Sequence, residues 1–161
     1  MPDFDHDLQE RIATRAAADG VSLAVAESLT GGLLTDALAT SDGSGEWLRG
    51  GIVAYATEVK RELLGVDGPV ISQHCAVQMA DAARRLLRAD VGVGITGVGG
   101  PDRQEDQPVG TVFIACTTHD GSILEEHAFE GDAAEIVDAS IEHALRVLLR
   151  TLEGETEVQR G

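Results

Sequence analysis

Short apolar runs alternate along this chain with stretches whose apolar residues recur at three- and four-residue spacing. That alternation restricts the fold more than any other feature of the sequence. Residues 5–18 carry Leu8, Ile12 and Ala16 at helical spacing and are broken by Asp19-Gly20. Val21-Ser22-Leu23-Ala24-Val25-Ala26 is short, apolar and bounded by Gly20 and Glu27-Ser28, as a strand buried on both faces should be. A helix through Leu33, Leu34, Ala37 and Leu38 comes next, with Ser28 or Thr30 available to cap it and a loop over 41–45 to close it. Ile52-Val53-Ala54-Tyr55, entered through Gly50-Gly51, predicts a second strand, and Thr57 can cap a helix that holds Lys60, Leu63 and Leu64 and stops at Gly65. Residues 76–87 predict another helix, and 91–96 a third strand running into Gly97-Val98-Gly99-Gly100-Pro101. Strands over 109–117 and 122–129 meet at His119-Asp120-Gly121, where Asp-Gly favours a tight hairpin. An amphipathic helix over 133–152 ends the pattern, and the polar tail from Gly154 is expected to fray.

Strand and helix in alternation, then a hairpin, then a helix, predict an α/β fold: a three-layer α-β-α domain with a mixed, mostly parallel sheet, read as a single domain over 1–161. With 43% hydrophobic residues the chain can bury one full core, and with 3% aromatics that core must be built from Val, Leu, Ile and Ala. There is no basic leader at the start and no apolar run of membrane-spanning length, so a soluble, cytoplasmic protein that engages no membrane is expected. Cys75 and Cys116 lack metal-ligand spacing and are too few for a disulfide framework, which makes them buried thiols and leaves no metal site in the expectation. His74 beside Cys75 is not read as a reactive pair, because adjacent residues on an extended chain point opposite ways.

Charge narrows the setting. Twenty-eight acidic against twelve basic residues give a net charge of −16, which opposes nucleic-acid binding. At molar ionic strength the Debye length falls to about 3 Å, and such a surface no longer repels itself strongly. A salt-rich cytoplasm is therefore expected, and it also explains the single lysine, Lys60, beside eleven arginines: lysine's long apolar stem is disfavoured in concentrated salt. The one lysine kept is a functional candidate. The melting temperature should fall when molar KCl is replaced by millimolar KCl; an unchanged value would overturn the salt-adapted reading.

In open α/β sheets, ligands bind beyond the carboxyl ends of the strands. Three such ends here carry small or polar sequence: Glu27-Ser28-Leu29-Thr30-Gly31-Gly32, Tyr55-Ala56-Thr57, and Thr96-Gly97-Val98-Gly99-Gly100-Pro101. Singly, each reads as a helix cap or a turn. Jointly, they could present backbone N–H groups to an anion or a developing oxyanion. Neither glycine-bearing loop has the spacing of the dinucleotide fingerprint or the Walker loop.

Four blocks in order extend this pattern: Ala26-Glu27-Ser28-Leu29-Thr30-Gly31-Gly32; Gly51-Ile52-Val53-Ala54-Tyr55, with Lys60 five residues on; Thr96-Gly97-Val98-Gly99-Gly100-Pro101-Asp102; and Pro108-Val109-Gly110-Thr111-Val112. Over 9–152 the chain resembles the CinA carboxy-terminal domain family, which includes nicotinamide mononucleotide deamidases. The resemblance implies Ser28 as nucleophile, Lys60 as its base, and Tyr55 as a residue orienting the dyad or the substrate amide. It implies substrate contacts at Glu27, Thr30, Gly31, Gly32, Thr96, Gly97, Gly99 and Gly100, with the oxyanion held by N–H groups near Thr30 to Gly32. It also implies a pyridine nucleotide as small-molecule partner, no metal or redox cofactor, a homo-oligomer, expected to be a dimer, and a stand-alone form without the larger amino-terminal domain of full-length CinA proteins. The chemistry is coherent. A serine hydroxyl is a weak nucleophile until a neighbouring base takes its proton, and a partly buried lysine amine can do so. Arginine stays protonated and cannot.

The chain departs from the family pattern twice. After His74 the family usually continues Gly-Ala-Val-Ser-Glu, whereas Cys75-Ala76-Val77-Gln78 stands here, and the helix cap is expected to be lost. Family members often place an arginine soon after the Gly-Asp that follows the fifth strand, where it could meet the nucleotide phosphate. Here Gly131-Asp132 is followed by Ala133-Ala134-Glu135, and no arginine appears until Arg146. Arg103 is the first substitute to test, ahead of Arg49 and Arg61, which read as surface charges. Two functions follow: an amidohydrolase acting on nicotinamide mononucleotide, or a non-catalytic family member that binds a nucleotide or a protein in the same crevice.

Overall fold

A computed structural model describes residues 5–155; the tail beyond lies outside the described residues. The elements run α1 (His6–Asp19), β1 (Leu23–Glu27), α2 (Leu33–Ala39), α3 (Ser44–Trp47), β2 (Leu48–Val53), α4 (Thr57–Glu62), α5 (Gln73–Leu87), β3 (Val91–Gly97), β4 (Thr111–Thr117), β5 (Ser122–Ala128) and α6 (Ala133–Leu152). The five strands form one sheet in the order β2-β1-β3-β4-β5. β1 pairs parallel with β2 and β3, β4 runs antiparallel to β3, and β5 antiparallel to β4. Four strands therefore point one way and β4 against them, the mixed sheet that the alternating pattern predicts.

Side-chain size decides how the layers pack. Leu23 and Val25 of β1 and Val91, Val93 and Ile95 of β3 face α1, α2 and α6, and with Ile12, Leu38, Ile141, Leu145 and Leu148 make the larger core. The alternate positions, Ala24, Ala26, Gly92 and Gly94, face α5, which answers with Ala76, Met79, Ala80 and Ala83. Small residues on both surfaces bring α5 close to the sheet. A Cβ at Gly92 would overlap Ala80 O, and one at Gly94 would overlap Ala76 O, both backbone atoms that cannot rotate away. Gly94→Ala should therefore destabilise the fold by about 1–3 kcal/mol, the usual cost of overpacking, as read from denaturant unfolding. A stability equal to that of the parent protein would show the contact to be looser than drawn.

The structure corrects several local expectations. The predicted loop over 41–45 contains the start of α3, a short turn anchored by Trp47, which is buried and donates from Nε1 to Asp42 O at 3.2 Å. β2 ends at Val53, so Tyr55 stands beyond the strand and not on it. Neither Ser28 nor Thr30 caps α2, and Thr57 is the first residue of α4 and not its cap. α5 begins at Gln73, earlier than predicted, and its cap is not lost: Ser72 Oγ accepts from Cys75 N–H at 3.1 Å. His74 and Cys75 thus lie on a helix. Cys75 is fully buried, while His74 is exposed and reaches Asp67 Oδ1 at 3.0 Å. β4 starts at Thr111 because Gly110, at φ +95°, turns its backbone to Val98 and Phe129. α6 has the predicted bounds, and Asp132 and Glu135 form a reciprocal capping box at its start. No helix among the described residues is long and apolar enough to cross a membrane.

Candidate active site

The carboxyl ends of β1 and β3 open on a cavity of about 180 Å³, lined by Ser28, Leu29, Tyr55, Lys60, Val98, Gly97, Gly99, Gly100, Asp102, Gln104, Ala133 and Val137. A larger cavity, about 560 Å³, lies at the amino ends of the same two strands, beside Asp19, Arg84, Asp90 and His119, and none of the four sequence blocks reaches it. The smaller cavity holds residues from three of the four sequence blocks. Ser28, Lys60 and Tyr55 all line it although they stand on three different segments.

Ser28 is 4% exposed, immediately beyond the central strand β1. What fixes it there is its neighbour. Glu27 is fully buried, and its carboxylate accepts from Thr30 Oγ1 at 2.6 Å, from the N–H groups of Leu34 at 2.8 Å and Thr35 at 2.9 Å, and from Thr35 Oγ1. Those N–H groups are two of the unsatisfied donors at the start of α2, so Glu27 does the capping that Ser28 or Thr30 was expected to do. Gly31 and Gly32, at φ +58° and +101°, make the reversal that carries the chain back over the carboxylate. The Gly31 N–H is already bonded to Ser28 O at 3.0 Å. Glu27, Thr30, Gly31 and Gly32 are thus placed behind the cavity, supporting Ser28, and none of them lines it.

Lys60 is the single buried residue of α4, with 2% of its surface exposed. Among the described residues its ammonium forms neither a hydrogen bond nor an ion pair. Burial pushes its pKa below the ordinary lysine range, and the fields of Cys75 and Glu105 only partly oppose that shift. Cys75 is itself held as a thiol by burial, against the pull of Lys60 and a hydrogen bond with Thr96. The lowered pKa makes the neutral, proton-accepting form of Lys60 easier to reach than for an exposed lysine.

Tyr55 lines the rim with 73% of its surface exposed, so its ring is available to a ligand. Thr96 is fully buried beneath the site and donates from Oγ1 to Val70 O at 2.6 Å; Gly97, Gly99 and Gly100 reach the cavity wall and Thr96 does not. Arg103 also falls outside the cavity. Its Nη2 donates to Asp106 O at 2.6 Å, directed there by the left-handed turn at Glu105 and Asp106. Among the described residues no arginine lines the cavity.

Sequence reasoning missed five contributors. Asp102 and Gln104 line the cavity, and Asp102 already stood at the end of the third sequence block. Glu105 straps the loop: its carboxylate accepts from Val70 N–H at 3.1 Å and Ile71 N–H at 2.6 Å. Ala133 and Val137 come from α6, remote in sequence; the resemblance had pointed to the position of Ala133, while nothing local announced Val137.

A family model described as the CinA C-terminal domain matches residues 5–152. The chain belongs to the CinA C-terminal domain family. A CinA-like protein of Frankia casuarinae is 42% identical over 139 residues, covering 83% of this chain and 32% of that protein. A CinA-like protein of Syntrophus aciditrophicus is 38% identical over 156 residues, covering 92% of this chain and 37% of its own. The chain spans about a third of the length of the curated relatives it matches. The crystal structure of a CinA superfamily protein from Enterobacter cloacae superposes with a TM-score of 0.88 at 28% identity, covering 91% of each chain. Set on the CinA fold, the position just after Gly131-Asp132 faces the cavity, and there this chain has Ala133.

Proposed function

We propose that this CinA domain is an amidohydrolase that converts nicotinamide mononucleotide to nicotinate mononucleotide and ammonia through Ser28 and Lys60. The observation that carries it is the burial of the only lysine in the chain, with its pKa lowered, in the lining of the same cavity as a buried serine. Neutral Lys60 Nζ takes the Ser28 Oγ proton as Oγ attacks the carboxamide carbon. The tetrahedral intermediate collapses, the C–N bond breaks, and Lys60 returns the proton to the leaving ammonia. Water, deprotonated by the now neutral amine, then cleaves the ester on Ser28. With the Gly31 N–H bonded to Ser28 O and the Val98 N–H to Thr111 O, support of the oxyanion falls to the N–H groups of Gly99 and Gly100 in the cavity lining. Tyr55 at the rim supplies a face on which a pyridine ring can stack. The mechanism needs no metal or redox group.

A pH profile follows. Lys60 must be neutral, so kcat/KM should rise with pH and level off with a midpoint below the ordinary lysine range. The same lowered pKa makes the unfolded chain bind more protons between the folded and unfolded values, so this group's contribution to stability rises with pH across that window. A rate independent of pH, or one that rises only where an exposed lysine titrates, would remove Lys60 as the base.

One observation favours a second function. A nucleotide phosphate entering the cavity meets Asp102, with Arg103 turned away and Ala133 where an arginine would reach in. A non-catalytic member that binds its ligand without turning it over would tolerate that loss. Incubation of the purified protein with nicotinamide mononucleotide in molar KCl, with ammonia quantified, separates the two. Ammonia release supports the amidohydrolase; nucleotide binding without turnover supports the second.

A further inference from the structure

We propose that Glu125, His127 and His143 form a binding site for a zinc-class divalent cation between β5 and α6, separate from the Ser28 cavity. Alternate residues of β5 face α6: Ile123 is buried in the larger core and Phe129, just past the strand, packs against it. Glu125 and His127 occupy the two positions between them. Polar groups thus interrupt an otherwise apolar face, with side chains only 24% and 20% exposed. His143 of α6 lies across them, its ring centroid 4.3 Å from that of His127, and His127 stacks on Phe129 at 4.7 Å.

One ligand atom from each of the three residues lies within 4.8 Å of the others. A tetrahedral ion with bonds of about 2.1 Å holds its ligands about 3.4 Å apart, so small side-chain rotations complete the set. The carboxylate is already oriented. Glu125 Oε1 accepts from Arg150 Nη1 at 2.9 Å, while Oε2 meets His127 Nε2 at 2.6 Å, the contact into which a cation would insert. Two imidazoles with one carboxylate select Zn²⁺, Co²⁺, Ni²⁺ or Cu²⁺ over Mg²⁺ or Ca²⁺, which prefer oxygen. The half-open position leaves a fourth place for water. None of the three residues lines the Ser28 cavity, so the cation would pin the edge strand β5 to α6 and take no part in amide hydrolysis.

The test is a titration of the full chain with Co²⁺ and with Zn²⁺, beside His127→Gln and His143→Gln and the control His74→Gln, whose ring sits on Asp67. The expected result is saturable binding of a single equivalent, a tetrahedral Co²⁺ absorption band displaced by Zn²⁺, and a raised melting temperature. Each ligand variant should bind more weakly by more than the roughly 10–100-fold lost when a residue that only orients a metal ligand is changed, and the control should bind unchanged. Weak, non-saturating binding without a tetrahedral band, as scattered carboxylates would give, overturns the proposal. So does wild-type affinity in both ligand variants. If a variant fails to fold, the wild-type spectrum and stoichiometry decide alone.

Discussion

Lys60→Arg is expected to lower the turnover of nicotinamide mononucleotide by about 10²–10⁴-fold, the range assigned to a positioned general base. Arginine stays protonated and cannot accept the Ser28 proton, so the step that activates the nucleophile is lost. A buried guanidinium is also bulkier, and Lys60→Met separates the two effects. Methionine fills much of the same space without a group that burial drives toward neutrality, so its melting temperature should equal or exceed that of the parent while turnover is lost. Ser28→Ala should abolish turnover too. Because the two residues act as a unit, the double variant should be little worse than either single one. Near-normal ammonia release by Lys60→Arg would remove Lys60 from the mechanism.

The second large effect falls on stability. Glu27→Ala should cost about 3–5 kcal/mol, at about 1–3 kcal/mol for each buried donor left unsatisfied, because it leaves the two threonine hydroxyls and the Leu34 and Thr35 N–H groups without their acceptor. For a chain of this size that corresponds to a fall in melting temperature of roughly 10 °C. Glu27→Gln keeps the shape but turns a donor toward one of those groups, and should lie between. Both are read by denaturant unfolding in molar KCl. A loss below about 1 kcal/mol for the alanine variant would mean that the start of α2 is held by something else.

This residue also shows where sequence reading stops. A glutamate at the end of a buried strand, followed by Ser-Leu-Thr-Gly-Gly, reads as part of a binding loop. Its donors lie seven and eight residues further on, and only the left-handed Gly31 and Gly32 bring them back. Arg103 failed as a cavity residue for a related reason: the sequence places a cation in the right loop, but left-handed Glu105 and Asp106 fold its head back onto their own backbone. The layers, by contrast, were legible. The period of apolar residues is a local property, so the strands and helices could be marked before their packing was known. Lys60 lies between these cases. Its rarity marked it in the sequence, and only its burial near Cys75 and Glu105 shows why its proton can shift.

Because Lys60 is the only lysine in the chain, selective ¹³C labelling of lysine gives one side-chain resonance, and its pH titration reads the proposed base directly. A single transition displaced below the ordinary lysine value of about 10.4, and perturbed when nicotinamide mononucleotide is added, is the expected result. A titration at the value of an exposed lysine, indifferent to the nucleotide, would contradict the assignment of Lys60 as the base that activates Ser28.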